Sequence, residues 1–451
     1  MISSQLTTTE HRDARFKLAI VTSLGSKCAT FVLQLLVIPL AVRILGPALF
    51  GVYSMLVASL NWIWSCGIGI GPSLTIATAH ALKEGNQPRE ERYVSTAFHI
   101  ICLIGMLLVL GFSIIAHYFG ISDIFGDQYL IYAHDIKLGL TIIFGMLIGI
   151  LLLGVVEGAM AGHQEQYIIN FCAMIGNLCS AAVLLVVLLR APSVVGMILC
   201  MTCVAYLPRI LTAIAYVIFI RPHWMPKFKS FDIPTAKVLI GTGAAFSIMQ
   251  MGQFMKHEIG ILFIGRILGP VPVAGYAILV NLCLLGFGAI SMQTAPLLPA
   301  ITDAIANGEY EWIRGVYSRG IRYAMVYACL VGLVLAVAGN LIIRIWYGPS
   351  VAPSVPLQVA IGIAFMLQVW EMYHIAILQS LGRAWIVVIL YLGQTLVFLV
   401  LCVPSIERFG SAGVPALLCI TILLCDAWML PILMGRTLGR YPSLGVVNAS
   451  A

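Results

Sequence analysis

Ser23, Lys27, Thr30 and Gln34 are spaced four, three and four residues apart, so a helix carries them on one face. They lie within a long apolar run. A polar stripe at membrane depth must face a cavity or a partner helix rather than lipid. A second stripe follows 223 residues later, where Gln250, Gln253 and His257 fall at the positions of Lys27, Thr30 and Gln34. Lys256 and Glu258 flank His257. Gln368, Glu371 and His374 succeed one another at intervals of three, and a carboxylate sharing a helix face with an imidazole can relay a proton. Glu157, Arg209 and Asp426 complete the ionisable groups inside apolar segments. Each of these groups also admits a purely structural role. Interhelical hydrogen bonds glue bundles, and charges near span ends reach the interface with their long stems.

The elements that position these residues are membrane spans. Hydrophobic residues make up 61% of the chain and charged residues 10%, against about 25% charge in soluble domains. Twelve segments approach or exceed the roughly 20 apolar residues needed to cross a bilayer: 18–42, 51–79, 94–119, 137–161, 167–189, 194–220, 238–265, 273–299, 321–346, 355–380, 384–403 and 411–434. The first is too long for the apolar core of a signal peptide and is expected to remain as a span. Sixteen basic residues fall on the side of the two tails and six on the other, which predicts cytoplasmic termini. The 12 cysteines sit in or beside apolar runs and read as small apolar residues rather than a disulfide framework.

The two stripes are related by a repeat. Arg43-Ile44-Leu45-Gly46-Pro47 recurs unchanged as Arg266-Ile267-Leu268-Gly269-Pro270. Without a gap, 14 of the 55 positions in 31–85 match 254–308, where about 4 or 5 are expected for so apolar a composition, and self-similarity at a fixed offset signals a repeated fold. Six spans per half preserve orientation, so the repeats are parallel. The expected fold is an all-α integral membrane protein, with twelve transmembrane helices in two six-helix lobes around a central cavity. The expected divisions are an N-terminal tail 1–17, an N-lobe 18–221, a linker 222–236, a C-lobe 237–434 and a C-terminal tail 435–451. In each copy of the motif Leu ends an apolar run, Gly allows a turn and Pro suits the start of the next helix.

Three superficial signals are set aside. Gly67-Ile68-Gly69-Ile70-Gly71-Pro72 has no strand before it and lacks the last glycine of a dinucleotide loop. Cys200-Met201-Thr202-Cys203 has no second ligand pair, so no metal is expected. There is no phosphate-binding loop of the Gly-x-x-x-x-Gly-Lys-Ser/Thr type. No cofactor and no nucleic acid are expected.

Arg43-Ile44-Leu45-Gly46-Pro47-Ala48-Leu49-Phe50-Gly51-Val52-Tyr53, continued by Gly67 to Pro72, resembles the start of bacterial polysaccharide-biosynthesis transporters. These are the Wzx-type flippases of the multidrug/oligosaccharidyl-lipid/polysaccharide exporter superfamily. Phe125-Gly126-Asp127 and its counterpart Trp346-Tyr347-Gly348 also resemble that family. The resemblance implies alternating access in the bacterial inner membrane, with a polyprenyl-pyrophosphate-linked oligosaccharide as cargo. It implies a polymerase and glycosyltransferases as neighbours, and membrane lipid as surroundings. Thr30, Gln34, Gln250 and Gln253 would then meet glycan hydroxyls, with His257 also in the substrate site. Lys27, Lys256 and Arg209 would meet the pyrophosphate. Glu258, Glu371 and His374 would couple an ion.

The nearest rival is a multidrug efflux antiporter of the same superfamily, which favours an acidic cavity and an Asp in the first span, where this chain has Lys27. A peptidoglycan-precursor flippase would carry a more arginine-rich cavity and often further spans. A membrane enzyme would present a long outer catalytic loop. The longest outer loop here, near 120–136, is short and bears no such constellation.

Overall fold

A computed structural model describes residues 8–65, 69–294 and 297–439. Among these residues all regular structure is helical, which keeps backbone N–H and C=O groups paired within each segment, as a bilayer requires. The chain divides into two compact units, Met1–Met251 and Gly252–Ala451.

In the first unit α1 (Thr8–Val32) runs through a π-helical turn, Leu33–Val37, into α2 (Ile38–Ser65). Then come α3 (Ile70–Lys83), α4 (Gln87–Tyr118), the short α5 (Ile121–Phe125), α6 (Ala133–Gly162) and α7 (Gln166–Arg190). The helices α8 (Val194–Leu199) and α9 (Ala205–Ala215) are joined by the π turn Cys200–Val204. The start of α10 (Ile233–Leu268) belongs to this unit, and its end to the second. The second unit continues with α11 (Pro270–Thr294), α12 (Leu297–Ala306), α13 (Tyr310–Trp346), α14 (Val355–Ser380) and α15 (Ala384–Phe409). It closes with α16 (Gly413–Thr421) and α17 (Met429–Gly439), joined through the π turn Ile422–Asp426.

Among the described residues nine helical stretches are long and apolar enough to cross a membrane. Of the nine, Trp385–Gly439 takes in nearly all of two of the twelve segments expected from sequence, and Leu18–Asn61 contains 18–42 and the start of 51–79. The segment 238–265 lies on the 36-residue α10. Apart from residues outside the described set, each expected segment falls almost wholly on helix.

The repeat is visible in the backbone. Gly46 breaks α2 with φ 80° and ψ 170°, and Gly269, with φ 91°, separates α10 from α11. An L side chain adopts that region only with strain. In both places the following Pro begins the next helical stretch, where its missing N–H costs nothing. Two further glycine pairs have matching positive φ: Gly85 (64°) with Gly308 (74°), and Gly126 (104°) with Gly348 (108°).

The first unit's core packs Leu74 of α3 and Val94, Ala97 and Ile101 of α4 against Leu147, Leu151, Val155 and Ala159 of α6. The residues between α9 and α10 are fastened onto this core. Trp224 is buried, and its indole N–H donates to Glu90 Oε1 at 2.7 Å. His163 Nε2 donates to the same oxygen at 2.6 Å, and His223 Nε2 stands 3.6 Å from Oε2. Arg221 pairs with Glu165 at 2.9 Å and Lys227 with Glu91 at 2.9 Å. Ser95 Oγ donates to the Lys227 carbonyl and accepts from its N–H. Residues 221–232 thus form a strap tied to α4 and to the α6–α7 turn. Asp232 ends the strap and caps α10, accepting from the Thr235 N–H at 2.9 Å and its hydroxyl at 2.5 Å. Those bonds hold the Asp232 carboxyl below its usual range, the Thr235 hydroxyl contributing most.

Candidate functional site

In the second unit α14 is the hub, packing against α11, α12, α13, α15, α16 and α17. Side chains on α14 are therefore enclosed on several sides, and polar ones need partners from other helices. Glu371 meets Lys256 of α10, whose Nζ donates to Glu371 Oε1 at 3.1 Å. The same ammonium donates to Gln394 Oε1 of α15 and lies 4.3 Å from the centre of the Tyr391 ring. Asp426, where the π turn meets the following helix, faces both Glu371 and Lys256. All four polar members are out of contact with the surface, Lys256 at 3% exposure, Glu371 at 4%, Gln394 at 0% and Asp426 at 1%. Asp426 Oδ2 and Gln394 Nε2 have no hydrogen-bond partner among the described residues.

A cavity of about 210 Å³ opens onto this cluster. Lys256, His257, Glu258, Gln368, Glu371 and Tyr391 line it, with Leu284 and Phe287 as its apolar wall. At about 30 Å³ per water it holds roughly seven waters. That is below the roughly 300–1,000 Å³ of pockets that enclose drug-sized molecules.

Of the sequence candidates, the structure brings Lys256, His257, Glu258 and Glu371 to one cavity. His374 has other company. Its Nδ1–H donates to the Trp370 carbonyl at 2.8 Å and its Nε2 accepts from the Tyr317 hydroxyl at 2.9 Å, which sets its tautomer. Both ring nitrogens are thereby used. Arg209 is gripped by Glu157 in a two-point fork of 2.8 and 2.6 Å, and its guanidinium lies 4.9 Å from the centre of the Tyr206 ring. Lys27 and Gln34 are half-buried on α1 and its π turn, and Lys27 has no ion-pair partner among the described residues. Thr30 is bonded twice: its hydroxyl donates to the Ser26 carbonyl at 2.9 Å and accepts from Asn177 Nδ2 of α7 at 2.9 Å. The Gln250 and Gln253 side chains lie outside the described residues. Sequence reasoning did not pick out Gln394 and Tyr391, and it left Asp426 without a role. A lone Gln or Tyr in an apolar helix gives no signal until its neighbour across the bundle is known.

Residues 18–305 match the polysaccharide biosynthesis protein family. An uncharacterized membrane protein of Bacillus subtilis, EpsK, is 22% identical over 410 residues, covering 89% of this chain and 79% of the relative. Solved structures share the fold. An inward-facing multidrug resistance MATE family transporter of the MOP superfamily has a TM-score of 0.76 at 13% identity, covering 93% of this chain and all of that one. A MOP superfamily transporter from Pyrococcus furiosus, described as having a binding pocket of reverse polarity that suggests a different function, has a TM-score of 0.66 at 15% identity, with 94% of each chain covered. These neighbours are transporters. With the family matched over most of its length and a transporter fold around a buried charge cluster, the chain belongs to the polysaccharide biosynthesis protein family of membrane proteins, as the resemblance carried by Arg43 to Tyr53 implied.

Proposed function

We propose that this protein moves polyprenyl-pyrophosphate-linked oligosaccharide repeat units across the bacterial inner membrane by ion-coupled alternating access, for O-antigen, capsule or exopolysaccharide synthesis. The family match over residues 18–305 carries the proposal. The lobes are those read from the repeat, 18–221 and 237–434, with both tails in the cytoplasm. A polymerase and glycosyltransferases are the expected partners.

The distribution of charge supports an anionic cargo. On α1 the ammonium of Lys27 has no carboxylate partner among the described residues, and it shares its helix face with Thr30 and Gln34. A cationic drug would be repelled there. The acids lie elsewhere: Glu157 is occupied by Arg209, and Glu371 by Lys256. Lys27 is accordingly assigned to the pyrophosphate ahead of Arg209, whose fork is filled. Coupling is assigned to Glu258 and Glu371 around the small cavity, with His374 the weaker candidate because both its nitrogens are engaged.

The test is Lys27→Ala in a strain that depends on this protein for its surface polysaccharide. Export should fall while the protein level in the membrane stays the same. Export at the normal rate would remove Lys27 from the site. Resistance to cationic drugs lost on deletion of the gene, with surface glycan intact, would favour the multidrug antiporter instead.

A further inference from the structure

Lys256 has the surroundings of a bound monovalent cation. Its Nζ is coordinated by Glu371 Oε1 and Gln394 Oε1 and faces the Tyr391 ring, so two other helices supply its partners. It is buried, and its stem enters from α10, so the charge is covalently attached and cannot leave. A second carboxylate, Asp426, faces the pair, and its Oδ2 is buried with no hydrogen-bond partner among the described residues. One fixed positive charge therefore stands against two acids. In a buried site an uncompensated carboxylate costs several kcal/mol, so the set of three is best held at neutrality by one more positive charge.

That charge can be a metal ion or a proton, and the geometry separates them. The oxygens that would coordinate sodium, on Glu371 and Gln394, are already turned toward Nζ. Beside them Asp426 Oδ2 is buried with no hydrogen-bond partner among the described residues, and one such oxygen suffices for a proton, whereas a metal ion needs several. We infer that Lys256 is a built-in substitute for sodium, and that Asp426 takes up and releases the proton that couples transport in this unit. The proton adds to Asp426 Oδ2 and leaves from it, while Lys256 keeps its own proton throughout. The groups facing Asp426 are Glu371 from α14 and Lys256 from α10, with Gln394 and Tyr391 of α15 beside the ammonium. Glu258 lines the adjoining cavity and takes part in other interactions. This inference rests on the ion-coupled export proposed above, names its ion, and places the proton on Asp426 beside the Glu371 assigned to coupling there.

The first measurement is equilibrium binding of radioactive sodium to the purified protein, with choline balancing ionic strength. The wild type should show no saturable sodium site. Lys256→Ala frees the coordinating oxygens and should create one, and Lys256→Ala with Asp426→Asn should abolish it. Saturable binding to the wild type overturns the inference, as does a monodisperse Lys256→Ala protein that binds none. The second measurement needs no Lys256 variant. Infrared difference spectra across a pH titration should show the carbonyl band of a buried protonated carboxyl that disappears in Asp426→Asn. Its absence from the wild type, or its persistence in Asp426→Asn, also overturns it. Neither experiment involves a glycan, so either can fail while the export reading stands on its Lys27→Ala test.

Discussion

Replacing Lys256 by Met tests whether the buried ammonium is shared by two carboxylates. The Lys256 and Glu371 side chains are 4% and 5% exposed and 3.1 Å apart, so water screens little of their attraction. Met keeps most of the lysine stem and deletes its charge. Glu371 and Asp426 then occupy a buried site without a cation, and breaking a buried pair from one side costs about 3–5 kcal/mol. Glu371→Gln is milder. It preserves the shape, and Asp426 still faces the ammonium, so the loss is that of one charge-assisted hydrogen bond, about 1.5–3 kcal/mol. The double variant should cost less than the sum by about 0.5–3 kcal/mol, the range for residues in one ion-pair network. Urea or SDS unfolding of the purified protein, followed by tryptophan fluorescence, ranks all three. A Glu371→Gln protein less stable than Lys256→Met, or costs that add to within about 0.5 kcal/mol, would show that the charge is not shared in this way.

Trp224→Phe keeps an aromatic ring in the strap but removes the donor to Glu90, and should cost about 1–3 kcal/mol through the carboxylate left short of a bond. Faster tryptic cleavage after Lys227 or Lys229 would report it, and an unchanged cleavage rate would mean that the strap is held without this bond. Gly46→Ala and Gly269→Ala place a Cβ at φ 80° and 91°, which costs about 1–3 kcal/mol of backbone strain each. At Gly46 no atom lies within 4 Å of the added carbon, so a larger loss there would have to come from something other than this backbone strain. Asp232→Ala should weaken hydrogen-exchange protection at the start of α10. The Asp232 carboxyl titrates lower folded than unfolded, so its contribution is complete above its ordinary value of 3.8 and disappears as pH falls through the folded one. The difference between variant and wild type should therefore vanish on acidification, and a difference that persists at low pH would assign the cap to other groups.

Backbone features were legible in the sequence because they rest on single residue types. A left-handed turn needs Gly and a helix start accepts Pro, so Gly46-Pro47 and Gly269-Pro270 could be located from spacing alone. Apolar length likewise placed the helices. The cluster around Lys256 was only half legible. That Lys256 and Glu371 lay inside spans was plain, but their pairing depends on how α10 and α14 rotate, and 115 residues separate them. Equal spacing suggested that Glu371 and His374 act together, whereas packing turns one toward α10 and the other toward Tyr317 on α13. The strap was legible only as a break in the apolar pattern. Its attachment to Glu90 could not be read, because Trp224 and Glu90 are 134 positions apart.

The repeat shows which part of the design must be duplicated and which need not be. Both copies require the chain to turn at the same points, so their glycines match in identity and in φ. Side chains at equivalent positions are under no such demand. At the repeat offset Leu33 corresponds to Lys256 and Leu35 to Glu258. Leu33 is buried and needs only apolar neighbours, whereas a lysine at the same level needs oxygens and a ring from two other helices. A lysine at position 33 alone would be an unpaired buried charge, and Lys256→Leu alone would strand Glu371 and Asp426. The charge site therefore exists as a set in one copy and as packing in the other. The α1 stripe is arranged the opposite way: Lys27 keeps a half-exposed ammonium where the second copy has Gln250. Two units with one backbone path thus offer two different cations, one half-exposed without an acid partner among the described residues and one buried between acids. Exchanging their roles should fail. Lys27→Gln combined with Gln250→Lys would preserve the overall charge, yet it should not restore export, because the ammonium would leave the helix face it shares with Thr30 and Gln34. Full export by that double variant would show that the stripes are interchangeable and that the asymmetry carries no function.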